Sequence, residues 1–179
     1  MNILQINSVA NVGSTGRITE GIGKAIIKNG DISYVAYGRS AAHSDSILIK
    51  IGASLDQVMH GVKTRIFDTH GFGSKKATIE FLQKSYIIRP DIIHLHNIHG
   101  YYINIEILFD YLKQANIPII WTLHDCWPFT GHCTYFDCVR CDRWKRECNH
   151  CPQIRMYPKS FFFDNSRKNY INKRSLFTS

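Results

Sequence analysis

The chain has 179 residues, 44% of them hydrophobic and 20% charged, with a formal net charge of +8. That balance suits one folded domain with a buried core, and no apolar run approaches the ~20 residues that crossing a bilayer requires. The N-terminus MNILQINSV lacks the basic, apolar and small-residue succession of a secretory signal, so a cytoplasmic protein with reduced thiols is expected.

In chain order, Asn2–Asn7 is a short apolar run that ends in small and polar residues and predicts a first strand. A glycine-rich turn, GSTGR, follows. Ile18, Ile22, Ala25 and Ile26 then recur at helical spacing, and Gly30 closes that helix. Ile32–Gly38 and Ile47–Gly52 read as the next strands. SLDQVMHGVKTRIF predicts a helix, with Ser54 and Asp56 near its start. HGFGS breaks the chain, and a helix over Lys75–Ile88 ends before Arg89-Pro90, because a residue preceding proline is pushed out of helical geometry. Asp91–Asn97 is a strand. The next helix carries Ile105, Leu108, Phe109 and Leu112 on one face, and Ile117–Asp125 is a further continuous apolar strand. The tail from Pro158 to Leu176 reads as mostly helix, with Phe161, Phe162 and Tyr170 as its buried side. Strands alternating with helices, the strands apolar on both faces, predict a doubly wound, mainly parallel α/β sheet of the Rossmann-like kind.

In such sheets ligands collect beyond the carboxyl ends of the strands. Three groups lie there. Gly13, Ser14, Thr15, Gly16 and Arg17 offer close backbone approach, hydroxyls, a guanidinium and a helix start, which together suit phosphate or another anion; a plain tight turn is the competing reading. His96, Asn97 and His99 follow the fourth strand. His94, His96 and His99 could be read as a metal site, but no carboxylate or cysteine completes the set, and His96 is placed in the cleft with His94 packed or hydrogen-bonded. His124 and Asp125 follow the fifth strand, where a histidine near its ordinary pKa can exchange protons or donate to developing negative charge.

Five of the six cysteines fall between Cys133 and Cys151. Cys138 and Cys141, and Cys148 and Cys151, repeat the two-residue gap of tetrahedral zinc sites, with Cys126, Cys133, His132 and His150 as rival ligands. Spacing leaves zinc, packed free thiols and disulfides open, and does not choose the four ligands.

The stretches ILQINSVANVGSTGRI, YGRS, PDIIHLHNIHGYYIN, WTLHDCWPFTGHC and CDRWKRECNHCPQ with YPKSFFFDNS resemble the N-terminal half of a family 4 glycosyltransferase of the two-domain GT-B type, in the cysteine-containing subgroup from bacterial surface polysaccharide biosynthesis. The resemblance covers essentially the whole chain. It implies an acceptor-side domain over residues 1–179, a cysteine-rich insertion at 126–152, and a C-terminal domain, absent from this sequence, that would bind the nucleotide-sugar donor. Retaining transfer to a glycan or lipid-linked acceptor without a catalytic metal is then expected, and this chain alone would be inactive. By the same resemblance Gly13–Arg17 would face the donor diphosphate and the acceptor, and His124 would touch the transferred sugar. Asp125 would orient His124 or bind acceptor, and Cys133, Cys141, Cys148 and Cys151 would form the cysteine quartet around a structural zinc.

Residues 139–179 carry 10 Lys/Arg against 3 Asp/Glu. A basic segment of this kind meets nucleic acid, an anionic membrane surface or a phosphorylated substrate, or is a solvated helix face. The rival function is therefore a zinc-stabilised nucleic-acid-binding module. Three consecutive phenylalanines suit packing better than a row of base-stacking platforms, so nucleic acid is not the expected partner. Contact with an anionic membrane, where a lipid-linked acceptor would be found, is compatible with the transferase reading.

Overall fold

A computed structural model describes residues 1–178. Five strands, β1 (Asn2–Asn7), β2 (Ile32–Tyr37), β3 (Ile47–Lys50), β4 (Ile92–Leu95) and β5 (Ile119–Trp121), form one sheet in the order β3-β2-β1-β4-β5. Every pairing is parallel. The chain starts in the middle of the sheet, builds outward through β2 and β3, then returns to the other side of β1. This is the doubly wound arrangement, with its change of direction between β1 and β4. The helices are α1 (Gly13–Lys28), α2 (Ser54–Phe67), α3 (Lys75–Ile88), α4 (Ile105–Gln114) and α5 (Ser166–Thr178).

The two faces of the sheet differ in chemistry. Under α3 and α4, Leu4, Ile6, Ile93 and Leu95 pack with Phe81, Leu82, Leu108 and Leu112 into the apolar core. Strand alternation turns the intervening residues Gln5, Asn7, Ser33, His94 and His96 to the opposite side, so the strands are not apolar on both faces as predicted. There α1 closes in with Gly16, Thr19, Glu20 and Gly23, not with its isoleucine row. A Cβ at Gly23 would lie 2.3 Å from the Ser46 hydroxyl, so glycine is what permits this approach. Thr19 and Glu20 serve the buried polar seam. The Thr19 carbonyl accepts from Gln5 Nε2 at 3.0 Å, and the Glu20 carboxylate takes the Ser44 hydroxyl and the Asp45 N–H. Ile18, Ala25 and Ile27 are left exposed.

Several local signals behave as expected. Gly30 adopts φ +83 after α1, Asp56 accepts from Ala53 N at 2.8 Å, and α3 stops at Arg89 in left-handed geometry ahead of Pro90. The tail differs from the expectation. α5 begins at Ser166, where Asp164 Oδ1 accepts from Ser166 N at 2.9 Å, so the helix start lies in DNS and not near Pro158. Phe161 and Phe162 precede the helix and are exposed, and the buried side of α5 is Ser166, Asn169 and Lys173. Tyr170 is half-buried and donates to the carbonyls of Trp144 and Arg146. No described helix is long and apolar enough to cross a membrane.

Candidate active site at the strand ends

Parallel pairing carries the ends of β1, β4 and β5 to one edge, and backbone bonds stitch their continuations together. His96 N donates to Ile6 O, Thr122 N to Leu95 O, and Asn97 N to Asn7 Oδ1. Asn7 Nδ2 donates to Val9 O at 2.9 Å and reaches Thr15 Oγ1 at 3.4 Å, which sets the start of α1 beside the end of β4. Gly13–Arg17 is therefore not a separate turn but the first turn of α1. Gly13, Ser14 and Arg17 are exposed, Thr15 is half-buried, and Gly16 is buried against Val9 and Asn11.

Two histidine pairs stand at this edge. In the first, His96 Nδ1 lies 3.0 Å from His124 Nε2, and His96 Nε2 lies 3.2 Å from Gln5 Oε1. The direction of every proton in this chain follows from its buried end. Gln5 uses its amide nitrogen on Thr19 O, so Oε1 faces His96 and must accept from His96 Nε2–H. Burial, followed by the neighbouring His94 and His124, lowers His96 to about 3, so the ring is neutral and its Nδ1 is an acceptor. His124 consequently donates from Nε2, and its Nδ1 is left as the basic nitrogen. Partial burial lowers His124 as well, which keeps that lone pair available near neutral pH. His96 is fully engaged behind His124, so it holds His124 in one tautomer and does not face a ligand.

The second pair is His99 Nε2 with Asp125 Oδ2 at 2.7 Å, and Asp125 Oδ1 accepts from Trp127 N at 2.9 Å. Burial works to raise the Asp125 carboxyl, but the bonds from His99 and Trp127 outweigh it and leave the group below its ordinary value. Asp125 thus orients His99, and the neighbour in sequence, His124, is oriented by His96. Tyr157 OH sits 3.3 Å from His99 Nδ1. Behind them His70 is buried among the rings of Tyr101, Trp127, Tyr157 and His99, accepts at Nε2 from Gly100 N, and is held neutral by burial. His94 hydrogen-bonds Thr122 Oγ1 at 2.8 Å. The H-x-H-x-x-H sequence is thus divided among three separate contacts. His70 and Tyr157 were not candidates from the sequence, where HGFGS showed only a chain break and Tyr157 stood only as the first residue of the YPKSFFFDNS stretch.

The cysteine insertion folds over the residues after Asp125. Its anchor is buried: His132 Nδ1 donates to Asp68 Oδ1 at 2.5 Å, with both side chains fully covered. Cys133, Cys141, Cys148 and Cys151 line one cavity of about 10 Å³, the space of about one small sphere. Cys138 is exposed and stands apart, as does Cys126, and His132 is committed to Asp68 and the Met156 carbonyl. A hydrogen bond shared with Cys151 lowers the Cys133 thiol to about 6 and raises that of Cys151. All six cysteines are free thiols, and among the described residues no group of three or more His, Cys, Asp or Glu side chains is gathered closely enough to hold a metal ion. Part of the basic excess of the tail is spent internally. Lys173 is buried on the Trp127 ring at 4.0 Å and donates to Trp127 O at 2.6 Å, and Arg143 donates to the carbonyls of Asn149 and His150.

With this geometry in place, the chain can be compared with known proteins. It is 25% identical, over 99% of its length, to a protein of Escherichia coli (strain K12) named "Putative colanic acid biosynthesis glycosyl transferase WcaC". The similarity is to a glycosyltransferase. The chain spans 45% of that relative's length. No protein-family profile matches the chain, and no solved structure does.

Proposed function

We propose that this fold is the acceptor-side domain of a retaining glycosyltransferase of the GT-B type. It would move a sugar from a nucleotide-sugar donor to a glycan or lipid-linked acceptor in the bacterial cytoplasm, with the donor held mainly by a second domain. In that reaction the bond from the anomeric carbon to the nucleotide diphosphate breaks, and an acceptor oxygen bonds to the same carbon on the same face. The acceptor's proton leaves toward the departing diphosphate. The observation that carries the reading is that the carboxyl edge of the sheet holds both His124, paired with His96 after β4, and the start of α1, tied through Asn7 to Asn97, in a chain similar over 99% of its length to the protein named above.

The roles follow from the bonds described. His124, tautomer-locked by His96 and Gln5, presents Nδ1 to a hydroxyl of the transferred sugar. The exposed Ser14 and Arg17 and the first N–H groups of α1 face the diphosphate, where charge grows as the bond breaks. The His99–Asp125 pair, next to Tyr157, holds the acceptor side. Cys133, Cys141, Cys148 and Cys151 border one small cavity and, drawn closer together than they stand in this structure, would hold a structural zinc in a closed shell; the metal would brace the insertion without joining the reaction.

Nuclear magnetic resonance titration of the ¹⁵N-labelled chain tests the assignment. A sugar-diphosphate acceptor analogue with a short alkyl chain is expected to shift His124, Asn97 and the first turn of α1, whereas purified chain mixed with nucleotide sugar and acceptor gives no turnover. Shifts with an oligonucleotide in place of the acceptor analogue, or transfer by this chain unaided, would overturn the proposal.

A further inference from the structure

α2 is built inside out. At 100° per residue, Leu55, Val58, Met59 and Val62 fall within one arc of about 100°, and His60, Gly61 and Thr64 fall opposite. The buried side is the second set: His60, Gly61 and Thr64 face the protein. The apolar arc faces outward, with Leu55 71% and Val58 58% exposed. His60 explains the inversion, because its Nε2 accepts from both Gly71 N and Gly73 N and so draws the polar side of the helix inward.

The apolar surface continues past the end of α2. Phe161 N donates to Arg65 O at 2.7 Å and Phe163 N to Ile66 O, which fastens the Phe161–Phe163 strap to the last turn of the helix. Phe163 stacks on Phe67 with ring centres 5.6 Å apart, and Phe162 is 77% exposed. Around this surface Lys63, Arg65, Arg155 and Lys159 are all exposed, with Arg155 over the Phe161 ring. The nearest carboxylates are tied to the backbone, Asp56 to Ala53 N and Asp164 to Cys151 N and Ser166 N.

We propose that the outward face of α2 and the Phe161–Phe163 strap form a docking surface for an anionic lipid bilayer, lying in the headgroup region with the phenylalanines inserted. Two observations select this occupant. The ring of cations calls for a negatively charged counterpart. The three successive phenylalanines are all exposed but differently surrounded, Phe161 under Arg155, Phe163 on Phe67 and Phe162 most open to solvent, which a fluid apolar medium accepts more readily than one rigid protein groove. Tyr157 lies four residues before Phe161 on the same segment and its OH sits 3.3 Å from His99 Nδ1, so the strap brings the membrane next to the His99–Asp125 pair.

Vesicle flotation of the purified chain tests this without reading any transferase activity, so it can fail while the glycosyltransferase assignment stands. Binding is expected to phosphatidylcholine vesicles containing phosphatidylglycerol, to weaken with added salt, and to be weak on phosphatidylcholine alone. Phe162→Ser should reduce binding about tenfold or more, the equivalent of one phenylalanine removed from an apolar medium. Lys63→Glu with Lys159→Glu should do the same, and Ile87→Ser, an exposed apolar residue on α3, should change nothing. Unaltered thermal melts would show that the variants fold. Equal binding to neutral vesicles, no binding to either kind, or a dimer broken by Leu55→Ser in place of membrane binding would overturn the proposal.

Discussion

Mild acid should strongly destabilise this protein, because the fold depends on histidines that must stay neutral. His60 is lowered to about 4 by burial, then by Lys63. His96 is lowered to about 3 by burial. Both are depressed bases, so the stability they permit is intact above the unfolded value of about 6.5 and is lost as pH falls from there toward the folded values. At about pH 5 an unfolded imidazole is mostly charged while these two are still neutral, a cost of about 2 kcal/mol each, or about 4 kcal/mol together. His70, lowered by burial, adds in the same direction. Asp68, raised by burial, offsets part of this, since its folded form gains a proton first as pH falls. Cys133 and Lys173 have their transitions between about 6 and their ordinary values, above this window. Against a typical total stability of about 5–15 kcal/mol, the loss is large. Urea unfolding followed by tryptophan fluorescence at a series of pH values is the assay. The two rings give a slope near pH 5 of about 2.7 kcal/mol per pH unit, and His60→Gln should remove about half of it. Equal unfolding free energies at pH 7 and pH 5 would refute the reasoning.

Replacing Gln5 with leucine takes away the acceptor for His96 Nε2–H and should cost about 1–3 kcal/mol. In long-range ¹⁵N spectra the unaltered chain should show His124 protonated at Nε2, and Gln5→Leu should mix its tautomers; an Nδ1–H tautomer in the unaltered chain would contradict the derived proton directions. For the cysteines, chain purified under reducing conditions should contain one zinc, lost together with thermal stability in Cys148→Ser and kept in Cys138→Ser, as read by metal analysis and melting; retention of metal and stability in Cys148→Ser would remove the quartet.

What the sequence revealed depended on whether the side chains that repeat along a helix are also the ones that are buried. α4 was legible because Ile105, Leu108 and Leu112 repeat with the helical period and are the side chains buried in the core, and the end of α3 because Pro90 follows it. α1 misled for the opposite reason, and the buried face of α2 was not legible at all. Their isoleucine and valine rows are the regular signal, but Gly23, Thr19 and His60 decide the buried side, since each answers a polar group more than ten residues away. At the site, strand ends located His96, His99, His124 and Asp125. The pairing was hidden: Asp125 sits beside His124 in the chain, yet 2.7 Å from His99, because β4 and β5 lie side by side and their continuations cross-bond. The start of α5 was written in Asp164-Asn165-Ser166 but outweighed by the phenylalanines before it.

Asp68 ends α2 in left-handed geometry and is wholly covered. Its carboxylate takes His132 from the insertion and the N–H of Asn165, and its carbonyl takes the side chain of Asn169 in α5. A stretch cut out at Cys126 and grafted elsewhere would therefore leave a histidine, His132, and two asparagines, Asn165 and Asn169, without the partner that Asp68 supplies. Whatever the cysteines bind, the segment that holds them cannot travel between proteins as a cassette, and it would lose its shape if the first seventy residues loosened.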